Sequence, residues 1–325
     1  MIVVTGGAGF IGSALIWALN ERGIDDILVV DELGGDQKWK NLQSLSFADH
    51  VGKDDFLEMV AGGKTPPGVK TVLHMGACTD TTERNVSYMM KNNYEYTKLL
   101  AQWATDAKIR FIYASSAATY GDGSAGFEDD QDKLEILRPL NAYGYSKQLF
   151  DLWARRTGLL KKIVGLKYFN VFGPNEYHKG EMRSFIVKAF EQIQARGWVG
   201  LFKSHDPQYT DGEYVRDFIY VKDAVEMTLF FFDNPAAGGL YNIGTGTART
   251  WNDMVRAVFA AMDKKPNIRY VEMPDSIRSQ YQYFTQADIT KLRKAGYDKQ
   301  TTPLENAIKD YVQVYLQKQA YLAKD

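Results

Sequence analysis

Thr5-Gly6-Gly7-Ala8-Gly9-Phe10-Ile11-Gly12 follows the apolar run Ile2-Val3-Val4 and opens a stretch in which Ile11, Leu15, Ala18 and Leu19 recur at helical spacing. A glycine-rich turn between a buried strand and a helix is the phosphate-binding device of dinucleotide folds. It makes a tight turn, lets the backbone approach a pyrophosphate, and packs the helix closely on the strand. The spacing satisfies both G-x-G-x-x-G (Gly7, Gly9, Gly12) and G-x-x-G-x-x-G (Gly6, Gly9, Gly12). The first N–H groups of the helix and its positive end add attraction for phosphate. Asp31 closes the next apolar run, Ile27-Leu28-Val29-Val30, where an acid grips the adenosine ribose about twenty residues after the turn. Asp31 argues for NAD, whereas Lys38 and Lys53 would neutralise the 2′-phosphate of NADP. Each lysine is equally an ordinary solvated side chain, so these residues leave the two dinucleotides open.

Outward from this turn, apolar runs alternate with helical patterns. Strands are expected at Thr71-Val72-Leu73-His74, Phe111-Ile112-Tyr113-Ala114 and Ile163-Val164-Gly165-Leu166, and helices over 89–103 and 145–155. The alternation predicts a parallel sheet covered on both faces. The fold class is therefore α/β: a Rossmann-type doubly wound parallel sheet with a smaller mixed α/β substrate domain. The regular pattern fails after about Pro174. Residues 175–212 offer one helix (184–196) and a polar loop, and a strand-like run (217–221) and an apolar helix follow. The expected division is a dinucleotide-binding domain of 1–170 plus about 217–242, and a substrate domain of about 171–216 and 243–325.

Composition narrows the function classes. The 325 residues are 45% hydrophobic and 24% charged with a net charge of −1, which supports a sizeable core and argues against nucleic-acid or membrane partners. A single cysteine, Cys78, excludes an intrachain disulfide framework and fits a reducing compartment. The N-terminus opens into a strand with no signal-peptide pattern, so a cytoplasmic location is expected. His50, His178 and His205 are not spaced as a metal set, and no metal is expected. His74 ends an apolar strand and reads as a satisfied core histidine.

The candidate chemistry lies in Tyr143-Gly144-Tyr145-Ser146-Lys147. Four residues apart, Tyr143 and Lys147 share one helical face. An ammonium beside a phenol favours the phenolate and is expected to lower the Tyr143 pKa, making it a usable acid/base. Ser115 and Ser116 end the preceding strand, at the sheet edge where ligands sit, and Ser116 is placed to share a proton with a substrate hydroxyl.

The glycine turn, Ala114-Ser115-Ser116-Ala117-Ala118-Thr119-Tyr120-Gly121 and the Tyr143/Lys147 pair resemble the extended short-chain dehydrogenase/reductase family. Within it, Met89-Met90-Lys91-Asn92-Asn93-Tyr94, His178-Lys179-Gly180 and Phe284-Thr285-Gln286-Ala287-Asp288 resemble the epimerases of ADP-heptoses, nearly along the whole chain. The resemblance implies tightly held NADP, with NAD the alternative. It lines that cofactor with Gly6, Gly7, Gly9, Phe10, Ile11, Gly12, Asp31, Glu32, Lys38, Lys53, Met75, Gly76, Ala77, Cys78, Thr79, Asn92, Lys147 and Val171. It implies an ADP-heptose substrate facing Ser116, Asn170, Glu181, Lys188, Phe202, Lys203, Ser204, His205, Arg216 and Tyr281. Tyr143 and Lys179 would be the two acid/base groups, assisted by Lys147 and Ser116. A homo-oligomer, pentameric in the resembled enzymes, is also implied. Ala117 and Ala118 stand where a 4,6-dehydratase needs an acid/base pair. A UDP-hexose 4-epimerase and a non-catalytic dinucleotide sensor remain as alternatives.

Overall fold

A computed structural model of the chain describes residues 1–81, 83–278 and 282–324. Among them, seven strands form one sheet. They are β1 (Ile2–Thr5), β2 (Ile27–Val30), β3 (Asp49–Val51), β4 (Thr71–His74), β5 (Arg110–Ser116), β6 (Val164–Tyr168) and the strand Gly239–Ile243. Every neighbouring pair is parallel. The order across the sheet is Gly239–Ile243, β6, β5, β4, β1, β2, β3. From β1 the chain winds outward to β3, then crosses back to β4 and winds the other way. The reversal between β1 and β4 is the crevice at which such sheets bind ligands.

Successive strand residues point to opposite faces, and both faces are buried. Ile2, Val4, Val29, Leu73 and Ile112 belong to one core cluster, with Ala14, Leu15 and Leu19 of helix α1 (Phe10–Asn20) and with the helix Val221–Asp233. Val3, Leu28, Val30, Val72 and Phe111 belong to the other. There they meet Phe56 and Val60 of the helix Lys53–Ala61, Leu100 and Ala104 of Tyr96–Asp106, and Phe150 and Ala154 of Ala142–Arg156. Burial on both faces is why these strands read as unbroken apolar runs. β3 reads Asp-His-Val and carries no such run, so only its backbone pairing with β2 reveals it.

The helix expected over 89–103 is longer and interrupted: an α-turn at Val86–Met89, a π-turn at Met90–Glu95, then Tyr96–Asp106. The strand expected over 217–221 is Phe218–Tyr220, paired with Asn170–Phe172, and Val221 already begins a helix. Val199–Phe202 pairs with Ile268–Val271, and Val215–Arg216 pairs with Arg249–Thr250. No helix among the described residues is long and apolar enough to cross a membrane.

Candidate active site

The glycine turn is built as its spacing requires. A Cβ on Gly6, whose φ is +65°, would lie 2.7 Å from the Gly76 backbone. One on Gly12 would lie 2.0 Å from the Gly6 carbonyl oxygen. The ends of β1 and β4 therefore touch at the crevice, and only glycine allows it. Gly9 is the N-cap of α1 and no side chain caps that end, which leaves the helix terminus to an anion.

Above the turn lies a cleft of about 600 Å³. Gly6, Gly9, Phe10, Ile11, Gly12, Asp31, Glu32, Lys38, Lys53, Met75, Gly76, Ala77, Cys78, Thr79 and Asn92 all line it. So does Lys179. An uncapped helix start, a cradle that any Cβ would fill and a cleft of this size together fit a dinucleotide. Gly7 is not in the lining: its Cβ would meet Val29 and Ile16, so it serves helix-on-strand packing. Lys147 and Val171 also lie outside the lining.

Asp31 is held in place. Its carboxylate accepts from the backbone of Ala8 at 2.9 Å and Glu32 at 2.7 Å, and from the Lys38 ammonium at 3.0 Å. Lys38 is therefore paired, with its side chain only 18% exposed: the acid expected at the ribose holds the cation expected at a 2′-phosphate. Lys53 pairs with Asp54 at 2.7 Å.

Tyr143 and Lys147 lie on the helix Ala142–Arg156, whose N-cap Asn141 accepts from the Gly144 N–H at 2.8 Å. A Cβ on Gly144 would sit 2.6 Å from the Ala118 oxygen, so this helix start lies directly against the turn after Ser116. Ser116 hydrogen-bonds the Tyr143 phenol. The structure corrects one expectation here: the Tyr143 pKa is raised, not lowered. Burial pushes it up and the Ser116 hydrogen bond only partly opposes this. The Lys147 ammonium is directed to the Ala114 carbonyl, to which it donates at 2.8 Å. Burial lowers the Lys147 pKa to about 8, against the raising field of Asp151 one turn along the helix.

Beneath the pair is a buried polar network that sequence reasoning missed. Asp151 accepts from Tyr113 (2.8 Å), Ser115 (2.7 Å) and the Lys167 ammonium (2.8 Å), and Lys167 also donates to Thr119 at 2.7 Å. Its one sequence signal is a lysine inside the otherwise apolar strand β6. Asn93, in the π-turn, accepts from the Cys78 N–H and donates to the Cys78 carbonyl and Ser146, tying the cleft wall to the Tyr143 helix. π-turns concentrate at such sites. His74 is a satisfied core residue: Thr5 and Thr97 flank its ring nitrogens at 2.6 and 2.8 Å, and burial lowers its pKa to about 3.

Lys179 sits in the turn Tyr177–Met182, its ammonium 5.5 Å from the centre of the Phe10 ring. Burial lowers its pKa, opposed by the charge of Glu176. The neighbouring His178 is lowered to about 4, chiefly by burial. Asn41 donates to the Ala8 and Asn175 carbonyls and approaches the His178 ring at 3.3 Å, joining this turn to the glycine loop. Asn41, Asn175, Glu176 and Met182 were not anticipated from the sequence.

A second cavity of about 320 Å³ adjoins the cleft at Met182, which lines both. It brings together Asn170, Val171 and Lys188 with Arg183, Phe185 and Trp251. Val171, expected at the cofactor, lies here instead. Glu181 is exposed and binds the Lys188 ammonium at 3.0 Å. Phe202, Lys203, Ser204 and His205 line neither cavity. Lys203 pairs with Glu272 at 2.6 Å, and His205 lies 3.8 Å from the same acid. The Ser204 N–H donates to Asp211 at 2.8 Å. Arg216 is buried and donates to the carbonyls of Val215 and Gln282. Tyr281 lies outside the described residues.

Residues 2–244 match the model of the NAD dependent epimerase/dehydratase family. The ADP-L-glycero-D-manno-heptose-6-epimerase of Nitratidesulfovibrio vulgaris strain DP4 is 55% identical over 97% of this chain and 98% of its own length. The enzyme of that name from Fusobacterium nucleatum is 46% identical over 98% and 99%. Among solved structures, the Helicobacter pylori ADP-L-glycero-D-manno-heptose-6-epimerase superposes with a TM-score of 0.79 at 27% identity, covering 96% of this chain and 94% of that one. With its glycine cradle, its cleft at the sheet reversal and these relatives, the chain belongs to the NAD dependent epimerase/dehydratase family.

Proposed function

We propose that this enzyme, an isomerase, converts ADP-D-glycero-β-D-manno-heptose to ADP-L-glycero-β-D-manno-heptose by inverting C6″ through a transient 6″-ketone. The product serves the inner core of lipopolysaccharide. The observation that carries this reading is a full-length relative at 55% identity named for that reaction.

The cofactor is a nicotinamide dinucleotide; NADP is the form we favour, because Lys38 and Lys53 both line the cleft that holds Asp31. The glycine cradle and the start of α1 would hold its pyrophosphate, and Asp31 and Lys38 would hold its adenosine ribose end. When bound, it supplies the hydride acceptor and donor.

Ser116 orients the C6″ hydroxyl and Tyr143 takes its proton as the ketone forms. With the dinucleotide bound, Lys147 would hold the nicotinamide ribose, and its charge would favour the Tyr143 phenolate against the rise that burial imposes. The sugar side chain beyond C5″ then turns to present its other face. Lys179 donates a proton to the C6″ oxygen on that face. No net oxidation occurs, so the cofactor stays bound between turnovers.

The sheet-forming segments 1–170 and about 217–242 form the dinucleotide unit in this reading. Segments of about 171–216 and 243–325 form the substrate unit, with the sugar nucleotide in the cavity of Asn170 and Lys188. A cytoplasmic homo-oligomer is the working form. Lys179→Met tests the two-base scheme. The variant is expected to keep its cofactor and lose epimerisation, whereas turnover at the wild-type rate contradicts the assignment.

A further inference from the structure

The turn that carries Lys179 is tied at its start by Tyr177, whose hydroxyl donates to the Ala320 carbonyl at 2.9 Å, and by His178, whose ring lies 3.3 Å from the Asn41 amide. Gly180 takes φ +53°, ψ −123°, a conformation that suits glycine alone. The residue before the turn ties its two ends together. Glu176 is 1% exposed, and its carboxylate gathers four donors. These are the N–H of Gly173 at 3.2 Å, the N–H of Ser184, the Ser184 hydroxyl at 2.7 Å and the Tyr311 hydroxyl at 3.1 Å. Gly173 precedes the turn, Ser184 follows it, and Tyr311 comes from the C-terminal helical segment. The Glu176 carbonyl also accepts the Lys179 N–H at 3.1 Å. Four donors and no acceptor around a carboxyl group suit the anion.

We propose that Glu176 is a positioning residue for proton transfer by Lys179: its buried carboxylate ties together the two ends of the turn and sets a negative charge near that lysine. The proposal rests on the reading of Lys179 as the second acid/base. Lys179 makes no ion pair among the described residues, and its ammonium faces the Phe10 ring. His178 lies beside it on the same turn, and Asp31, Asp36 and Lys38 act on that histidine from across the cleft. Burial raises the Glu176 pKa, opposed first by the Ser184 hydrogen bonds and then by the charge of Lys179, and Glu176 in turn opposes the desolvation of Lys179. A lysine that must deliver a proton to the C6″ oxygen has to hold that proton when the ketone is reduced. A nearby buried anion that makes no direct ion pair leaves the ammonium free to reach the substrate.

The test is the pH profile of kcat for the cofactor-loaded wild type, Glu176→Gln, Glu176→Asp and Lys179→Met. Glu176→Gln is expected to retain cofactor while its alkaline limb moves about one pH unit or more toward acid. Glu176→Asp keeps the charge and is expected to keep the wild-type limb even if kcat falls. Glu176→Gln activity lost evenly across pH, with the limb unmoved and Lys179→Met inactive, overturns the proposal alone and leaves a merely structural Glu176. Lys179→Met at the wild-type rate overturns both the proposal and the acid/base reading beneath it. Should Glu176→Gln not fold, pH-dependent acetylation of Lys179 in the wild type, read by peptide mass spectrometry, answers directly. A labelling midpoint above neutrality is expected, and one at or below neutrality overturns the proposal.

Discussion

Asp151→Asn removes one charge from a pair buried beneath the Tyr143 helix. Asp151 and Lys167 are 2.8 Å apart, with side chains 0% and 1% exposed. Removing one partner of such a pair leaves an uncompensated buried charge, at about 3–5 kcal/mol. The amide keeps one acceptor oxygen for three donors, so a second loss of about 1 kcal/mol follows from a hydroxyl left unmatched. The sum, on the order of 4–6 kcal/mol, is a large share of the roughly 5–15 kcal/mol by which domains are stable. Urea unfolding followed by tryptophan fluorescence at neutral pH should show the midpoint falling with little change in slope. The double variant Asp151→Asn/Lys167→Met should recover most of the loss, because no orphaned charge remains. A cost below about 1 kcal/mol for the single variant, or a double variant as unstable as the summed singles, would refute the reasoning.

Other expectations concern pH. The Lys147 pKa stands at about 8 in the free chain, so the ammonium is present below that pH and lost above it. Dinucleotide affinity measured by calorimetry should therefore weaken as pH rises through 8, and Lys147→Met should bind weakly with no such dependence. For His74, the folded pKa of about 3 lies below the ordinary value of 6.5. The unfolded chain takes up the proton first, so stability is lost as pH falls below 6.5. By pH 5 the loss is about 2 kcal/mol, and His74→Gln should show a shallower acid dependence in urea titrations at pH 7 and 5.

The sequence announces those parts of the fold that are buried on two faces or need glycine. β1, β2 and β4 are apolar because each of their faces meets helices, and Gly6 and Gly12 are legible because no other residue fits. β3 is silent because an edge strand needs only backbone pairing. The Tyr143/Lys147 pair is legible from spacing, but the direction of the Tyr143 pKa is not. Spacing shows that a lysine is near, whereas burial and the Ala114 carbonyl decide what the two groups do. Arg216 illustrates the same limit: its type suits a pyrophosphate, yet its guanidinium is engaged by backbone carbonyls. Asn41 and Asp151 act through partners distant in sequence, and Glu176 through a loop closed on itself and the distant Tyr311, so no local pattern marks them.

The central claim is inversion of C6″ by removal and return of the same hydrogen on a tightly held dinucleotide. The direct measurement is turnover of ADP-D-glycero-β-D-manno-heptose in D₂O, with the C6″ proton followed by NMR. The account predicts conversion to the L-glycero epimer with protium retained at C6″, because hydride never exchanges with solvent. Deuterium at C6″ would contradict it by showing proton abstraction from carbon. Inversion of UDP-galactose with no change in the heptose would contradict the substrate.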